Sequence, residues 1–177
     1  MQEYTISVFV ENYIGLLNRV VSIFTRRHIN IDSINASPSS IEGIYRLTLV
    51  VSVTEEKVKL LITQLEKQVD ILKAFYHKDD EIVYQEIALY KVPTEAFMDG
   101  DSVEFLIRKH NARILSIEKE FIVIEKTGLQ EETKAFLEAL RPIGVYEFVR
   151  SGRVAISKPM EQLNKHLKRM AAENGVV

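Results

Sequence analysis

Cysteine is absent from the 177-residue chain, and glycine and proline are scarce. Without cysteine there is no disulfide framework, no thiol nucleophile and no cysteine-ligated zinc or iron–sulfur site. Seven glycines and four prolines are about half the usual share, which excludes collagen-like and low-complexity chains. The apolar runs are far shorter than the ~20 residues needed to span a bilayer. These absences leave a globular protein without a membrane partner, and we expect a cytoplasmic location.

The chain also lacks a large excess of charge of either sign. The chain has 23 Lys and Arg residues and 25 Asp and Glu residues, for a formal net charge of −2. A nucleic-acid-binding domain usually shows a positive surplus or a basic stripe, so we expect no nucleic-acid partner. Residues 1–13 lack a basic segment followed by a long apolar run, and we therefore expect no signal peptide.

The hydrophobic periodicity predicts an α+β protein made of two ferredoxin-like βαββαβ modules. In the first module, strands are expected at 4–10, 29–36, 45–53 and 69–76, with helices at 17–28 and 54–65. In the second, strands are expected at 82–92, 112–117, 121–124 and 143–149, with helices around 103–107 and 129–140. We therefore predict domains at 1–78 and 79–157, followed by an amphipathic helical tail at 158–177.

The loop between the first strand and the first helix, residues 10–17, is the best candidate for binding. A helix N-terminus exposes unpaired N–H groups and attracts a carboxylate or phosphate. Gly15 lets the backbone approach a ligand, and Asn12 offers both donors and an acceptor. We expect Asn30 to come near the same loop, because the helix returns the chain to that edge. From spacing alone, however, Asn12 is also interpretable as a helix cap, and both interpretations stay open.

Residues 10–34, VENYIGLLNRVVSIFTRRHINIDSI, resemble the opening of the acetohydroxyacid synthase (acetolactate synthase) small regulatory subunits. The shared pattern comprises Glu11, Asn12, Gly15, Leu17, Arg19 and Val20, then Arg27, Asn30, Ile31, Ser33 and Ile34. Residues 65–72, 86–92, 136–144 and 149–155 resemble later segments of the same family. The first half by itself resembles the wider family of ACT domains, and the second half makes the resemblance specific.

The resemblance implies a non-catalytic subunit of branched-chain amino-acid biosynthesis. It would activate a large catalytic subunit that carries thiamine diphosphate, magnesium and FAD, and make it sensitive to feedback inhibition by valine. The resemblance places domain 1–78 as an ACT domain that forms a homodimer, with the effector at the interface. The effector-binding residues would be Asn12, Gly15, Leu16, Asn30 and Ile31. The amides would hold the amino-acid head, the N–H groups of Gly15 and Leu16 the carboxylate, and Leu16 and Ile31 the isopropyl group.

Two other functions remain in view. A stand-alone ACT-type sensor without an enzyme partner would have the same loop, although no DNA-binding helix-turn-helix is evident. An enzyme would need a polar catalytic cluster, and the sequence has no P-loop, no G-x-G-x-x-G and no paired carboxylates. We expect no cofactor and no metal in this chain. Since Leu16 stands where many relatives have a smaller residue, the effector is expected to be valine or a related branched-chain amino acid.

Overall fold

The computed structural model describes residues 1–97 and 102–158, which divide into two compact units. The first unit comprises Met1–Val83 together with the described residues from Ala155, and the second comprises Tyr84–Val154. The boundary predicted after residue 78 thus precedes the division in the structure by a few residues. The predicted tail helix lies, apart from Lys158, outside the described residues.

The first unit has the predicted βαββαβ order. Its elements are β1 (Gln2–Glu11), α1 (Leu16–Arg26), β2 (Ser33–Pro38), β3 (Ile44–Val53), α2 (Glu55–Leu65) and β4 (Ile71–His77). The four strands form an antiparallel sheet in the order β2-β3-β1-β4, so β2 and β4 are the edges. This arrangement is the ferredoxin-like fold that the periodicity predicted.

The core of the first unit lies between this sheet and the two helices. Alternate residues of β1 and β3 face it, as the period of a strand requires, and each helix contributes one apolar stripe. The buried side chains include Tyr4, Ile6, Val8 and Val10 of β1, Val20 and Phe24 of α1, Leu47 and Leu49 of β3, and Val58 and Leu61 of α2. Thr54 caps the N-terminus of α2, where its Oγ1 accepts a hydrogen bond from the Lys57 N–H at 3.4 Å.

The second sheet repeats the topology of the first. Its elements are β5 (Ile82–Pro93), α3 (Ser102–Lys109), β6 (Arg113–Ile117), β7 (Phe121–Gly128), α4 (Gln130–Leu140) and β8 (Glu147–Arg150). The strand order is β6-β7-β5-β8, which corresponds position by position to β2-β3-β1-β4. Tyr90, Ile124, Phe136 and Leu140 are fully buried in its core. The Tyr90 hydroxyl donates to the Thr133 carbonyl at 2.7 Å, and burial raises its pKa to about 12.

Several strand boundaries differ from the prediction, β7 covering Phe121–Gly128 rather than 121–124 for example, and one strand was not predicted. The strand expected at 29–36 begins only at Ser33, because Ile29 is buried in the core from a loop that follows α1. The strand expected at 143–149 covers Glu147–Arg150 instead. A short ninth strand, β9 (Val154–Ser157), pairs with β5. Among the described residues, no helix combines the length and apolarity needed to cross a membrane.

Candidate functional site

The N-terminus of α1 begins on a left-handed glycine. Gly15 has φ +87° and no side chain caps the helix. The first helical bond runs from the Arg19 N–H to the Gly15 carbonyl at 3.1 Å, and the Leu16 N–H donates to the Tyr13 carbonyl at 3.3 Å. Within the described residues the N–H groups of Leu17 and Asn18 have no acceptor. They remain available to an anion at the positive end of the helix dipole.

Asn12 does not cap the helix. Gly15 occupies the N-cap position, three residues later, and the Asn12 side chain is exposed. Its backbone N–H donates to the Gly43 carbonyl at 3.0 Å, which anchors the end of β1 to the turn before β3. Of the two interpretations that the sequence left open for Asn12, helix capping is therefore wrong.

A carboxylate from a distant segment holds the loop in place. The Tyr13 hydroxyl and the Arg19 guanidinium both donate to Asp70, which directly precedes β4. The hydrogen bond to this carboxylate raises the pKa of Tyr13 above its ordinary value. The Arg19 guanidinium carbon also lies 5.8 Å from the centre of the Tyr13 ring. Tyr13 and Asp70 are 57 residues apart, and no local pattern could have predicted their contact.

The space above Gly15 is open. A Cβ built on Gly15 would meet no atom within 4 Å, and the neighbouring Ile14 is fully exposed. Leu16, in contrast, is only 6% exposed and packs in the core with Val20 and Phe24. The Leu16 side chain therefore has almost no surface to offer a ligand. The Leu16 N–H, which was expected to hold the effector carboxylate, already donates to the Tyr13 carbonyl, so the N–H groups without an acceptor are those of Leu17 and Asn18 within the described residues.

Asn30 lies at the opposite end of the sheet from Asn12. Ser33 pairs with Val50, and Val50 pairs with Thr5 at the start of β1, whereas Asn12 follows the end of β1. From Thr5 to Glu11, six residues of extended chain span about 20 Å. The expectation that α1 returns Asn30 to the Asn12 loop is therefore wrong within one chain, because an 11-residue helix carries the chain back along β1.

The surroundings of Asn30 orient its amide. The Asn30 Nδ2 donates to the Asp32 Oδ1 at 3.1 Å, and the Ser52 hydroxyl holds the other Asp32 oxygen at 3.0 Å. This leaves the Asn30 carbonyl oxygen as the acceptor at an exposed position. Ile31 is partly buried against the core of the first unit. Asn30 can therefore accept a hydrogen bond from a cation, but Asn12 and Gly15 of the same chain are out of its reach.

The strand that follows Asn30 is a free edge. β2 pairs with β3 on one side only, and Ile34 on it is 41% exposed. An edge strand presents unpaired N–H and C=O groups to another chain. No group of three or more His, Asp or Glu side chains placed to hold a metal ion occurs within the residues described.

Comparisons with known proteins agree on one family. Residues 6–73 match the family described as an AHAS small subunit-like ACT domain, and residues 85–159 match the small subunit of acetolactate synthase. The chain is 34% identical over 155 residues to the acetolactate synthase small subunit of Mycolicibacterium smegmatis, covering 88% of this chain and 91% of the relative. It is 35% identical to that of Bacillus subtilis, covering 89% and 91%. The crystal structure of the Thermotoga maritima small subunit superposes with a TM-score of 0.81 at 28% identity, covering 89% and 98%.

Proposed function

The chain belongs to the acetolactate synthase small subunit family, and we propose that it activates a large catalytic subunit and confers feedback inhibition by valine or a related branched-chain amino acid. It is a regulatory subunit in this proposal and does no chemistry of its own. Thiamine diphosphate, magnesium and FAD would be bound by the large subunit. The effector can act only by binding two states of the complex with different affinity, typically by about 1–3 kcal/mol.

The uncapped N-terminus of α1 is the observation that supports effector binding at this place. An amino acid presents a carboxylate and an ammonium group. The free N–H groups of Leu17 and Asn18 suit the carboxylate, and the exposed Asn12 amide oxygen suits the ammonium. Nothing within 4 Å of the Gly15 Cβ position obstructs the approach. The Asp70 contacts keep this loop in one conformation before the ligand arrives.

A homodimer would complete the site. In the proposed dimer, the β2 edges of two copies pair antiparallel, which brings the start of β2 in one copy to the end of β2 in the other. Because β2 runs parallel to β1, this places Asn30 of one copy at the Asn12 end of its partner. Its free carbonyl oxygen would then accept from the effector ammonium. The exposed Ile34 and the unpaired edge support this mode of association.

Gly15→Asp tests the site, with Gly15→Asn as its matched control. Both side chains have the same size, and both residue types tolerate positive φ better than most, so the two variants differ mainly in charge. The aspartate carboxylate would lie beside the free N–H groups and repel the effector. We expect the large subunit to be activated by both variants, with feedback inhibition abolished in Gly15→Asp and retained more strongly in Gly15→Asn.

The measurement is the acetolactate synthase activity of the large subunit, with and without this chain, across a valine, leucine or isoleucine titration. Unchanged inhibition in Gly15→Asp would refute the site. No activation by the wild-type chain, together with no co-purification of a thiamine-dependent large subunit, would favour the stand-alone sensor instead.

A further inference from the structure

A second, basic cleft lies at the opposite end of the two helices of the first unit. It is open to solvent, has a volume of about 660 Å³ and lies between the C-terminal ends of α1 and α2. Arg26, Arg27 and His28 line it from the α1 side, and Gln64, Lys67 and Gln68 from the α2 side. None of the described residues that line this cleft is a carboxylate, although the chain as a whole carries a net charge of −2.

The cations of the cleft are not neutralised by neighbours. Within the described residues, Arg26, Arg27 and Lys67 form no ion pair. The adjacent Glu66 is engaged elsewhere, with Lys73 at 2.7 Å. Three residues with a formal positive charge therefore line one concave surface, and no counter-ion is paired with them in the part of the chain that the structure describes.

Both helix ends are closed mainly by backbone hydrogen bonds, although the Arg26 Nε also donates to the Ser22 carbonyl of α1 at 3.2 Å. The last turn of α1 is closed by backbone bonds, with the Phe24 carbonyl accepting from the N–H groups of Arg27 and Ile29 at 3.0 Å each. At the end of α2, the Leu65 carbonyl accepts from the Gln68 N–H at 3.0 Å. Two helix C-termini amount to about −0.5 charge each, so about two positive charges remain in surplus.

The Arg27 side chain is fixed at the cleft by a hydrogen bond to the neighbouring helix. Its side chain is half-buried, and its Nε donates to the Gln64 Oε1 across the two helices. Within the described residues its two Nη groups have no hydrogen-bond partner. An arginine fixed in this way loses little side-chain entropy on binding, and its planar fork suits an oxyanion.

We propose that this cleft binds a small anion carrying phosphate groups. Two guanidinium groups and an ammonium group, with a surplus of about two charges, match the charge of a phosphate dianion. The volume lies within the range of about 300–1,000 Å³ of small-molecule sites. The site is distinct from the proposed effector site, because neither Asn12 and Gly15 nor Asn30 lines the cleft.

Titration calorimetry of the full chain with pyrophosphate, at low and constant ionic strength, tests the proposal. The double variant Arg27→Gln with Lys67→Gln removes two cations of the cleft, and glutamine keeps a polar side chain at each position. The matched control, Lys57→Gln with Lys59→Gln, removes the same charge from the other end of α2. We expect one saturable site in the wild type, binding weakened at least about tenfold in the cleft variant, and a change below about twofold in the control.

Nuclear magnetic resonance keeps the test decisive if the cleft variant does not fold. In the wild-type chain, pyrophosphate should shift the backbone amides of His28 and Gln68 and leave that of Asn12 unchanged. The proposal would be overturned if pyrophosphate binding did not saturate, or if both double variants weakened it equally. It would also be overturned if pyrophosphate shifted only the amides of other residues. So would a cleft variant that binds pyrophosphate normally but loses the large subunit, since the cleft would then dock an acidic segment of that partner.

Discussion

The strongest prediction concerns which chains supply the two amides of the effector site. In one chain Asn12 and Asn30 are separated by the length of β1, about 20 Å. A single amino acid cannot bridge this distance. If both amides bind the effector, then each site combines Asn12 of one copy with Asn30 of another. Two defective variants should therefore restore a working site when they form a mixed dimer.

The expected magnitudes follow from the chemistry of the amide contacts. A hydrogen bond to a charged group contributes about 1.5–3 kcal/mol, so Asn12→Ala and Asn30→Ala should each weaken effector binding ~10- to 150-fold. When the two variants are co-expressed in equal amounts, about half of all dimers contain one copy of each variant. Each mixed dimer has one intact and one doubly defective site, so about a quarter of all sites should bind with wild-type affinity.

The assay is calorimetric titration of the mixture, which reports the fraction of high-affinity sites. As a control, the wild type is co-expressed with the double variant Asn12→Ala, Asn30→Ala. A site shared between chains leaves about a quarter of all sites intact in this control, whereas a site within one chain leaves about half. A complete absence of high-affinity sites from the first mixture, or a value of about half in the control, would refute the reasoning.

Two further perturbations test the loop and the second unit. Asp70→Asn removes the carboxylate charge that binds both Tyr13 and Arg19, so the loop loosens and effector affinity should fall while activation of the large subunit is kept. Tyr13→Phe, which retains the ion pair between Arg19 and Asp70, should lower effector affinity less. An effector affinity that Asp70→Asn leaves unchanged, or that Tyr13→Phe lowers as much, would contradict this role. The Arg113 guanidinium, by hydrogen bonding, lowers the pKa of Glu125, so this stabilisation is fully present above the ordinary carboxyl pKa and lost as the pH falls through the lowered value. Denaturant unfolding should show Arg113→Gln less stable than wild type at neutral pH and equal to it in acid, and a difference that does not depend on pH would count against the pair.

Long periodic segments made the fold predictable. Alternation in β1 and β3 and the apolar stripes of the helices predicted the fold, because the alternating apolar residues of each strand are the ones that pack with the helices in the core. The start of β2 was placed too early, because an apolar residue such as Ile29 gives the same signal whether a strand or a loop buries it. Composition also gave no sign of β9, whose Val154 and Ile156 are largely exposed.

The candidate site was predictable only in its local part. The glycine before α1 and the neighbouring Asn12 follow from the sequence, because a helix start and a left-handed turn are local events. The contact of Tyr13 with Asp70 and the separation of Asn12 from Asn30 depend on strand order and register, and neither is encoded by spacing. An 11-residue helix rises about 16 Å, which is enough to move Asn30 to the other end of the sheet.

The burial of Leu16 changes what decides effector identity. A side chain that is 6% exposed in the core cannot narrow the pocket, so the bulk of Leu16 carries no argument against a larger effector. The groups proposed to hold the effector head are backbone N–H groups and two side-chain amides. They bind the carboxylate and ammonium groups, which all amino acids have in common. Discrimination then rests on apolar contact alone, where one methylene is worth about 1–3 kcal/mol. Valine, leucine and isoleucine should therefore compete for the same site, and we expect their affinities to differ by about 10- to 200-fold at most.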